Sequence, residues 1–314
     1  MSLMQSPLRK WPHFLKMSAL ALVALVGTLI LPSCDDKEDP TAGEMSTKVL
    51  VVTAIPDEKH SDQEANYEEL RRYLADQLGI KVEFSISASY DAAVERFKNG
   101  EVHLVWFGGF TGVQARKAVP GARAIAQGDV DPKYKSYFIA HKSTGLTKSD
   151  DFPVAIKDLS FTFGSKSSTS GRLMPTYFIL KQTGVMPDQF FTQPTQFQTV
   201  GGHDATARAV AGGSVDVGVL SYKKYDSMVA SGEIRAEDAP IIWETPEYAD
   251  YNLTVHPALE EMFGEGFIDQ LQRVLVECED EKVLKAFLRK RLIPASNEEF
   301  DGIHEVAREL GMMR

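Results

Sequence analysis

The chain contains few of the residues that cross-link a fold, and it has no excess of basic side chains. Its two cysteines, Cys34 and Cys278, lie in unrelated segments, which excludes a disulfide scaffold. The formal net charge is −10, so nucleic-acid binding is not expected, because no basic stripe is present to neutralise phosphates. No His-x-x-x-His spacing or cysteine cluster occurs, and we therefore expect neither a metal site nor another cofactor.

The chain also lacks an apolar run long enough to span a membrane comfortably. Its main apolar stretch, Met17–Leu31, falls short of the roughly 20 residues that a spanning helix needs and follows basic residues, as in a secretory signal. The stretch ends in Leu31-Pro32-Ser33-Cys34, which resembles the bacterial lipobox, in which the cysteine is lipidated and becomes the first mature residue. We expect residues 1–33 to be a lipoprotein signal peptide. An uncleaved signal anchor is the alternative, and it also places the remainder outside the cytoplasm.

The segment after Cys34 is polar and has no apolar period, so residues 34–47 are predicted to be a flexible tether. Asp35 follows the cysteine directly, which in Gram-negative lipoproteins resembles the signal for staying on the inner membrane. The predicted location is the periplasmic side of the inner membrane, with a lipid anchor as the membrane attachment. Cys278 lies in a helical pattern and is predicted to be a packing residue.

Two segments of the remaining chain are similar to each other. Each begins with a polar residue and Asp, Tyr90-Asp91 in one and His203-Asp204 in the other, and continues as a helix, a glycine stop and an apolar strand. Such an internal repeat predicts two similar lobes. The first residue of each repeated helix is then a hydrogen-bonding side chain that faces the cleft between the lobes.

From Lys48 onward, short apolar strands alternate with amphipathic helices, which predicts an α/β fold with mainly parallel strands. Residues 48–141 and 249–314 are predicted to form lobe 1 and residues 142–248 to form lobe 2, with an entirely helical tail covering lobe 1. The chain would then cross between the lobes twice. Two crossings make a hinge that permits closure on a ligand.

The densest polar segment is Gly164-Ser165-Lys166-Ser167-Ser168-Thr169-Ser170-Gly171, which follows a predicted strand and opens a helix. Backbone N–H groups and hydroxyls at a helix start form an anion site, although an ordinary N-cap in a flexible loop is the alternative. The glycine-rich turn Trp106–Gly112 ends another buried strand, and its Thr111 can cap a helix and donate a hydrogen bond.

These segments carry a family resemblance. Ser168-Thr169-Ser170-Gly171, Gly201-Gly202-His203-Asp204 and Val215-Asp216-Val217 together resemble the phosphonate-binding family of ABC-transporter substrate-binding proteins, which have the type II periplasmic fold. The resemblance covers Lys48 to about Leu259 and implies that the anion is held by Ser168, Thr169, Ser170, His203, Tyr90 and Tyr134. Thr111 and Asp204, which lie in neighbouring motifs, complete the predicted ligand-binding set. It further implies a small tetrahedral oxyanion as ligand and an ABC permease and ATPase as partners. We expect the binding protein itself to be a monomer.

The identity of the oxyanion stays open at this level. The segments Phe110–Arg116 and Ala124–Gly128 resemble a subgroup described as selenate-binding proteins, while phosphonate, phosphite and phosphate fit the family as a whole. Lys223 stands where relatives that bind an aminophosphonate place a carboxylate, which disfavours a cationic ligand tail. A fully ionised anion needs donors and no unpaired carboxylate, whereas a protonated one can donate to an acid. The candidate carboxylates are Asp57, Asp91, Asp129 and Asp204.

A hydrolase and an oxyanion sensor are the two alternative functions. Ser168, His203 and Asp204 are the ingredients of a hydrolytic triad, but adjacent His203 and Asp204 would need a special geometry, and the Gly-x-Ser-x-Gly elbow is absent. We therefore expect no enzyme. A lipoprotein that senses an oxyanion without transporting it would share the same motifs.

Overall fold

The computed structural model describes residues 48–57, 59–198 and 202–313. The predicted signal peptide, the predicted tether and the lipidation site Cys34 lie outside the described residues. The chain first builds β1 (Val49–Ala54), α1 (His60–Leu78), β2 (Lys81–Phe84), α2 (Tyr90–Lys98), β3 (Leu104–Phe107), α3 (Gly109–Ala118) and β4 (Arg123–Gly128). These elements belong to lobe 1.

The chain then crosses to lobe 2. There it forms β5 (Ser136–Ala140), β6 (Phe161–Phe163), α4 (Met174–Thr183), α5 (Pro187–Phe190), β7 (Gln196–Phe197), α6 (Gly202–Ala211), β8 (Val217–Ser221), α7 (Tyr222–Ser231) and β9 (Ile241–Glu244). A π-helical turn, Thr169–Leu173, precedes α4 directly. Back in lobe 1, the chain adds β10 (Asn252–Val255), α8 (Ala258–Phe263), α9 (Phe267–Val276), α10 (Glu281–Lys285), β11 (Leu292–Pro294) and α11 (Asp301–Glu309).

Each lobe is built on one mixed sheet. The order in lobe 1 is β11-β4-β10-β3-β1-β2, and the order in lobe 2 is β7-β6-β8-β5-β9. The expectation of mainly parallel strands holds in part, because β1 to β4 share one direction in lobe 1 and β6 to β9 share one direction in lobe 2, while the remaining strands run the opposite way. β10 runs antiparallel to β3 and β4, and β5 runs antiparallel to β8 and β9. Each of these two strands directly follows a crossing, so the chain enters the sheet from the side of the other lobe.

The first crossing differs from the predicted boundary. β5 already belongs to the sheet of lobe 2, so the chain leaves lobe 1 between Gly128 and Ser136 rather than at residue 141. The second crossing lies between Glu244 and Asn252. We name residues 129–135 and 245–251 the crossing segments.

The crossing segments pair with each other as a short antiparallel ribbon. Tyr134 N donates to Tyr248 O over 2.8 Å and Tyr248 N donates back to Tyr134 O over 2.9 Å. Further along, Asp250 N donates to Asp131 O over 3.1 Å. The hinge is therefore a hydrogen-bonded ribbon and not two independent linkers.

The internal repeat is confirmed. α2 and α6 occupy corresponding places in the two lobes, and each is followed by a glycine with positive φ, Gly100 at 71° and Gly213 at 71°, before β3 and β8. L-residues rarely adopt this backbone conformation, which explains the glycines.

The tail covers lobe 1 as expected but is not entirely helical. α10 packs against α1, and α11 packs against α3. β11 was missed by the sequence analysis; it pairs antiparallel with β4 at the edge of the sheet of lobe 1. Among the helices that the structure describes, none is long and apolar enough to span a membrane.

Candidate functional site

The N-terminal ends of three helical elements lie close together between the lobes. α3 begins after β3, the π-helical turn begins after β6, and α6 carries His203 in its first turn. Phe110 N, in lobe 1, donates to Thr169 Oγ1 in lobe 2 over 3.0 Å, and His203 N donates to Asp57 O across the same gap over 3.1 Å. The N-terminal ends of these elements carry partial positive charge, so their convergence favours an anion.

The three hydroxyls of Ser168, Thr169 and Ser170 lie at the centre of this convergence, and all three residues are buried. Ser168 Oγ accepts a hydrogen bond from Gly171 N over 2.9 Å and so caps the turn. A Cβ at Gly171 would lie only 2.9 Å from Ser168 Oγ, which explains why glycine follows the hydroxyl triplet. A cap needs one hydroxyl, so the next two are available for other contacts.

His203 is a neutral hydrogen-bond donor. Burial, which is the larger cause, and the positive charge of Lys224 together lower its pKa to about 3. Its Nδ1 accepts a hydrogen bond from Ser221 N over 3.4 Å, which leaves the proton on Nε2. Nε2 lies 3.4 Å from Ser170 Oγ, next to the hydroxyl triplet.

Tyr90 approaches from the first residue of α2. Ser89 caps this helix by accepting from Ala92 N over 3.0 Å, which leaves the Tyr90 side chain free to enter the cleft. Burial raises the pKa of Tyr90 well above its ordinary value, and the negative charges of Asp57 and Asp250 raise it further. Tyr90 is therefore a protonated phenol that can donate to an anion.

One carboxyl group joins these donors, and the sequence analysis missed it. Asp250 is fully buried in the second crossing segment, and its Oδ1 accepts from Gly109 N over 2.9 Å. Its Oδ2 is buried and has no hydrogen-bond partner of normal geometry among the described residues. Burial raises the pKa of Asp250 to about 7, although hydrogen bonds from Gly109 N–H and the Thr169 hydroxyl oppose this rise.

Other predicted site residues make different contacts. Thr111 is buried, but its hydroxyl donates to Gly108 O over 3.2 Å, at the start of its own helix. The Tyr134 hydroxyl makes a short hydrogen bond with Ser221 Oγ. Thr111 and Tyr134 therefore border the site, with their polar atoms already partnered by the protein.

Asp204 is engaged within its own helix. One carboxylate oxygen accepts from Ala205 N over 3.0 Å, and the other pairs with Arg208. The ion pair explains why the residue after His203 is acidic. It also leaves no triad, because the Asp204 carboxylate does not orient His203, whose Nδ1 instead faces a backbone N–H.

The other candidate carboxylates are distributed around the cleft. Asp91 accepts a hydrogen bond from Ser167 across the lobes, and Asp57 lines an interlobe cavity. Asp129 has a buried Oδ1 in the first crossing segment. The same cavity contains basic side chains; its lining comprises Asp57, Trp106, Tyr134, Ser221, Lys223, Lys224, Tyr251, Ala286, Phe287, Leu288 and Arg289.

The interlobe contacts describe a closed arrangement. Phe110 with Thr169 and Asp57 with His203 both join the lobes by hydrogen bonds. Gly202 has φ of 58°, and a Cβ there would lie 2.3 Å from the Asp57 carbonyl carbon. This approach of two backbones is possible only with glycine.

Comparison with known proteins agrees with this geometry. The family of ABC transporter phosphonate periplasmic substrate-binding proteins matches residues 52–300. A protein of Prochlorococcus marinus (strain MIT 9301), named a probable ABC transporter phosphite binding protein, PhnD1, is 36% identical over 274 residues, which cover 85% of this chain and 91% of that protein. The phosphate-import protein PhnD of Mycolicibacterium smegmatis is 28% identical over 92% of this chain and 94% of its own length.

The fold is shared with solved structures. The structure of PhnD1 from Prochlorococcus marinus in complex with methylphosphonate has a TM-score of 0.79 and 36% identity, and the match covers 85% of this chain and 99% of that one. A phosphonate-transporter binding protein from Pseudomonas aeruginosa has a TM-score of 0.70 at 19% identity, covering 82% of this chain and 85% of that one, and so supports the fold alone. The chain belongs to the family of periplasmic substrate-binding proteins of ABC phosphonate transporters, which bind and deliver a ligand rather than transform it.

Proposed function

We propose that the chain captures a protonated tetrahedral oxyanion of the phosphite, phosphate and alkylphosphonate class between its lobes and delivers it to its permease. The proposed ligand-binding residues are Tyr90, Ser168, Thr169, Ser170 and His203 as donors and Asp250 as an acceptor. Thr111 and Tyr134 are proposed to border the site, and Asp204 to hold the start of α6.

The donors are all neutral, and this suits reversible capture. Burial keeps Tyr90 protonated and keeps the imidazole of His203 neutral, with one N–H, and the hydroxyl triplet carries no charge. A desolvated anion then gains several hydrogen bonds without a buried counter-charge, as at other helix N-termini.

The Asp250 carboxyl is the group that determines which oxyanions bind in this proposal. Its Oδ2 is a buried acceptor next to the hydroxyl triplet, and a singly protonated phosphonate or phosphite can donate its P–OH to that oxygen. Sulfate and selenate hold no proton near neutral pH, so they would meet an ionised Asp250 with repulsion. We therefore place selenate, suggested by the subgroup resemblance, behind the phosphorus oxyanions.

The interlobe cavity is proposed to receive the substituent of the ligand that is not an anionic oxygen, such as the methyl group of methylphosphonate. Its charged lining contains Lys223 and Lys224 against one acid, Asp57, while the charge of Arg289 is neutralised by Asp131. A ligand with an ammonium tail, such as 2-aminoethylphosphonate, would enter a predominantly positive region, and its binding is disfavoured on this ground.

A calorimetric panel tests the ligand class. Phosphite, phosphate and methylphosphonate are each titrated at about pH 8, where an acid with a pKa of about 7 is ionised, alongside selenate, sulfate and 2-aminoethylphosphonate. The tightest binding is expected among the first three. Tight binding of selenate at this pH would refute the role of Asp250, and tight binding of 2-aminoethylphosphonate would refute the role of the basic cavity.

We also propose that the protein is attached to the outer face of the inner membrane by a lipid on Cys34. The lipobox resemblance of Leu31-Pro32-Ser33-Cys34 and the polar segment that follows support this. Detergent-phase partitioning of the expressed full chain tests the attachment, with Cys34→Ser expected to move to the aqueous phase. Cys278→Ser is the matched control, because that cysteine is buried within lobe 1. A Cys34→Ser chain that partitions like the wild type would refute the anchor.

A further inference from the structure

A fully buried ion pair lies behind the anion site and takes no part in the binding described above. Arg289, between α10 and β11, pairs with Asp131 of the first crossing segment, and their side chains are 2% and 0% exposed. Arg289 Nε donates to Asp131 Oδ2 over 2.9 Å, and a second guanidinium nitrogen donates to Oδ1 over 2.5 Å. The geometry is the bidentate fork that arginine forms with a carboxylate.

The guanidinium also contacts the aromatic rings that line the cleft. Its carbon lies 5.2 Å from the ring centroids of Tyr134 and Tyr251 and 5.7 Å from that of Trp106. Trp106 and Tyr251 stack at 5.4 Å, and Tyr134 meets Tyr251 edge-on at 5.3 Å. These cation–π contacts fix three side chains that line the interlobe cavity.

The ion pair reaches Asp250 through the backbone. Asp131 O accepts the hydrogen bond from Asp250 N over 3.1 Å, and Asp131 Oδ2 accepts from Gly128 N over 2.7 Å. The Asp131 carboxylate is held by Arg289, so the carbonyl that positions Asp250 is held as well. The path therefore runs from Arg289 through Asp131 to the Asp250 backbone.

The backbone next to Arg289 is strained at one residue and requires a glycine at another. Leu288, the residue before it, has φ of 54° and is the only non-glycine residue with positive φ in the described part of the chain. A Cβ at Gly128 would lie 2.4 Å from Arg289 Cγ, so that position must lack a side chain. Strained backbone persists where surrounding structure over-determines it, and a buried ion pair by itself contributes little net stability.

We propose that Arg289 is a positioning residue of the anion site, which holds Asp250 through Asp131 and holds the Tyr134 and Tyr251 rings directly. The proposal rests on the proposed function, because it concerns the same site. Arg289 lies behind the aromatic rings and acts through them and through Asp131, so the ligand does not need to touch it.

Two variants separate positioning from stability. Arg289→Lys keeps the charge and loses the bidentate fork, while Asp131→Asn with Arg289→Gln removes both charges and leaves no unpaired buried ion. Ile303→Ala, in the core of lobe 1 on α11, is the control that lowers stability without altering the site. Methylphosphonate affinity by calorimetry, the thermal midpoint, and the change in tryptophan fluorescence on ligand addition are measured for each.

Both Arg289 variants are expected to weaken methylphosphonate binding by about tenfold or more and to change the fluorescence response, since Trp106 contacts the guanidinium. Ile303→Ala is expected to lower the thermal midpoint and leave the affinity unchanged. If Arg289→Lys does not fold, the double variant decides.

Affinity within about twofold of the wild type in the folded variants would overturn the proposal. Affinity that falls equally in Ile303→Ala would also overturn it, because the loss would then follow stability alone. A wild type that binds none of the oxyanions would refute the proposed function instead, so the two failures are distinguishable.

Discussion

Replacing Asp250 with asparagine should reverse part of the preference for protonated oxyanions. Asp250 Oδ1 is satisfied by Gly109 N, so the unpartnered Oδ2 is the atom available to accept the ligand's proton. A hydrogen bond to a charged partner contributes about 1.5 to 3 kcal/mol, so methylphosphonate affinity should fall about 10- to 100-fold in Asp250→Asn.

The same substitution should improve sulfate binding. In the wild type, the ionised carboxylate repels an anion that cannot donate, and a like-charge contact of this kind costs several kcal/mol. The asparagine amide removes the charge and adds an N–H donor. The ratio of methylphosphonate to sulfate affinity should therefore fall by about 100-fold or more.

The pH dependence of sulfate binding tests the role of Asp250 independently. Burial raises the pKa of Asp250 to about 7, so the ligand-free carboxyl is protonated below that pH and can donate to sulfate. Wild-type sulfate affinity should fall about tenfold for each pH unit above 7, because a proton must then be taken up on binding. Asp250→Asn should lose this slope.

Isothermal titration calorimetry at several pH values, in buffers of different ionisation enthalpy, measures both affinity and proton uptake. Asp216→Asn in lobe 2, whose carboxylate accepts from Ser160, is the control and should leave the affinity ratio unchanged. An Asp250→Asn variant that binds methylphosphonate as the wild type does, and retains the sulfate slope, would refute the reasoning.

Three further predictions concern the lobe contacts. Thr169→Val should weaken methylphosphonate binding by about 1 to 3 kcal/mol in calorimetry, because it removes a donor and leaves Phe110 N–H without its partner; unchanged affinity would remove Thr169 from the site. Gly202→Ala should block closure against the Asp57 backbone, so that small-angle scattering shows no compaction with ligand; normal compaction would contradict the contact. His203 has a pKa of about 3, below its usual value of 6.5, so its contribution to stability is full above pH 6.5 and is lost on acidification. In urea unfolding, ligand-free wild type should lose stability relative to His203→Gln as pH falls from 6.5. Parallel plots of unfolding free energy against pH for the two proteins would count against this.

Local patterns in the sequence predicted much of the fold. β6 coincides with the apolar run Phe161–Phe163, and α4 ends at Gly184, whose φ of 76° suits a glycine. Periodicity and glycine punctuation report on neighbouring residues, and these elements are determined locally. α1 begins at His60, ahead of its periodic apolar residues Tyr67, Leu70 and Leu74, so its first turn gives little apolar signal in the sequence.

The strand directions could not be read in the same way. β5 and β10 look like any other apolar strand, and their antiparallel direction follows from the crossing between lobes. β11 is three residues long and includes Pro294, so it gave no periodic signal; its place at the sheet edge, beside β4, tolerates the proline.

The residues of the proposed anion site differ in how far the sequence predicts them. Ser168, Thr169, Ser170 and His203 belong to contiguous motifs, and the structure brings them together. Asp250 was missed because its contact with Gly109 joins residues 141 positions apart, and no local pattern encodes such a contact. The signal available was an acid flanked by aromatic residues, in Tyr248-Ala249-Asp250-Tyr251, directly before an apolar strand.

The paired crossing segments have a consequence for how the protein could report its ligand. Reciprocal hydrogen bonds between Tyr134 and Tyr248 couple the two crossing segments, so neither can change its backbone conformation at this point without affecting the other. We expect ligand-driven closure to move both segments together. One probe on each lobe, read out as an interlobe distance, should then follow ligand occupancy.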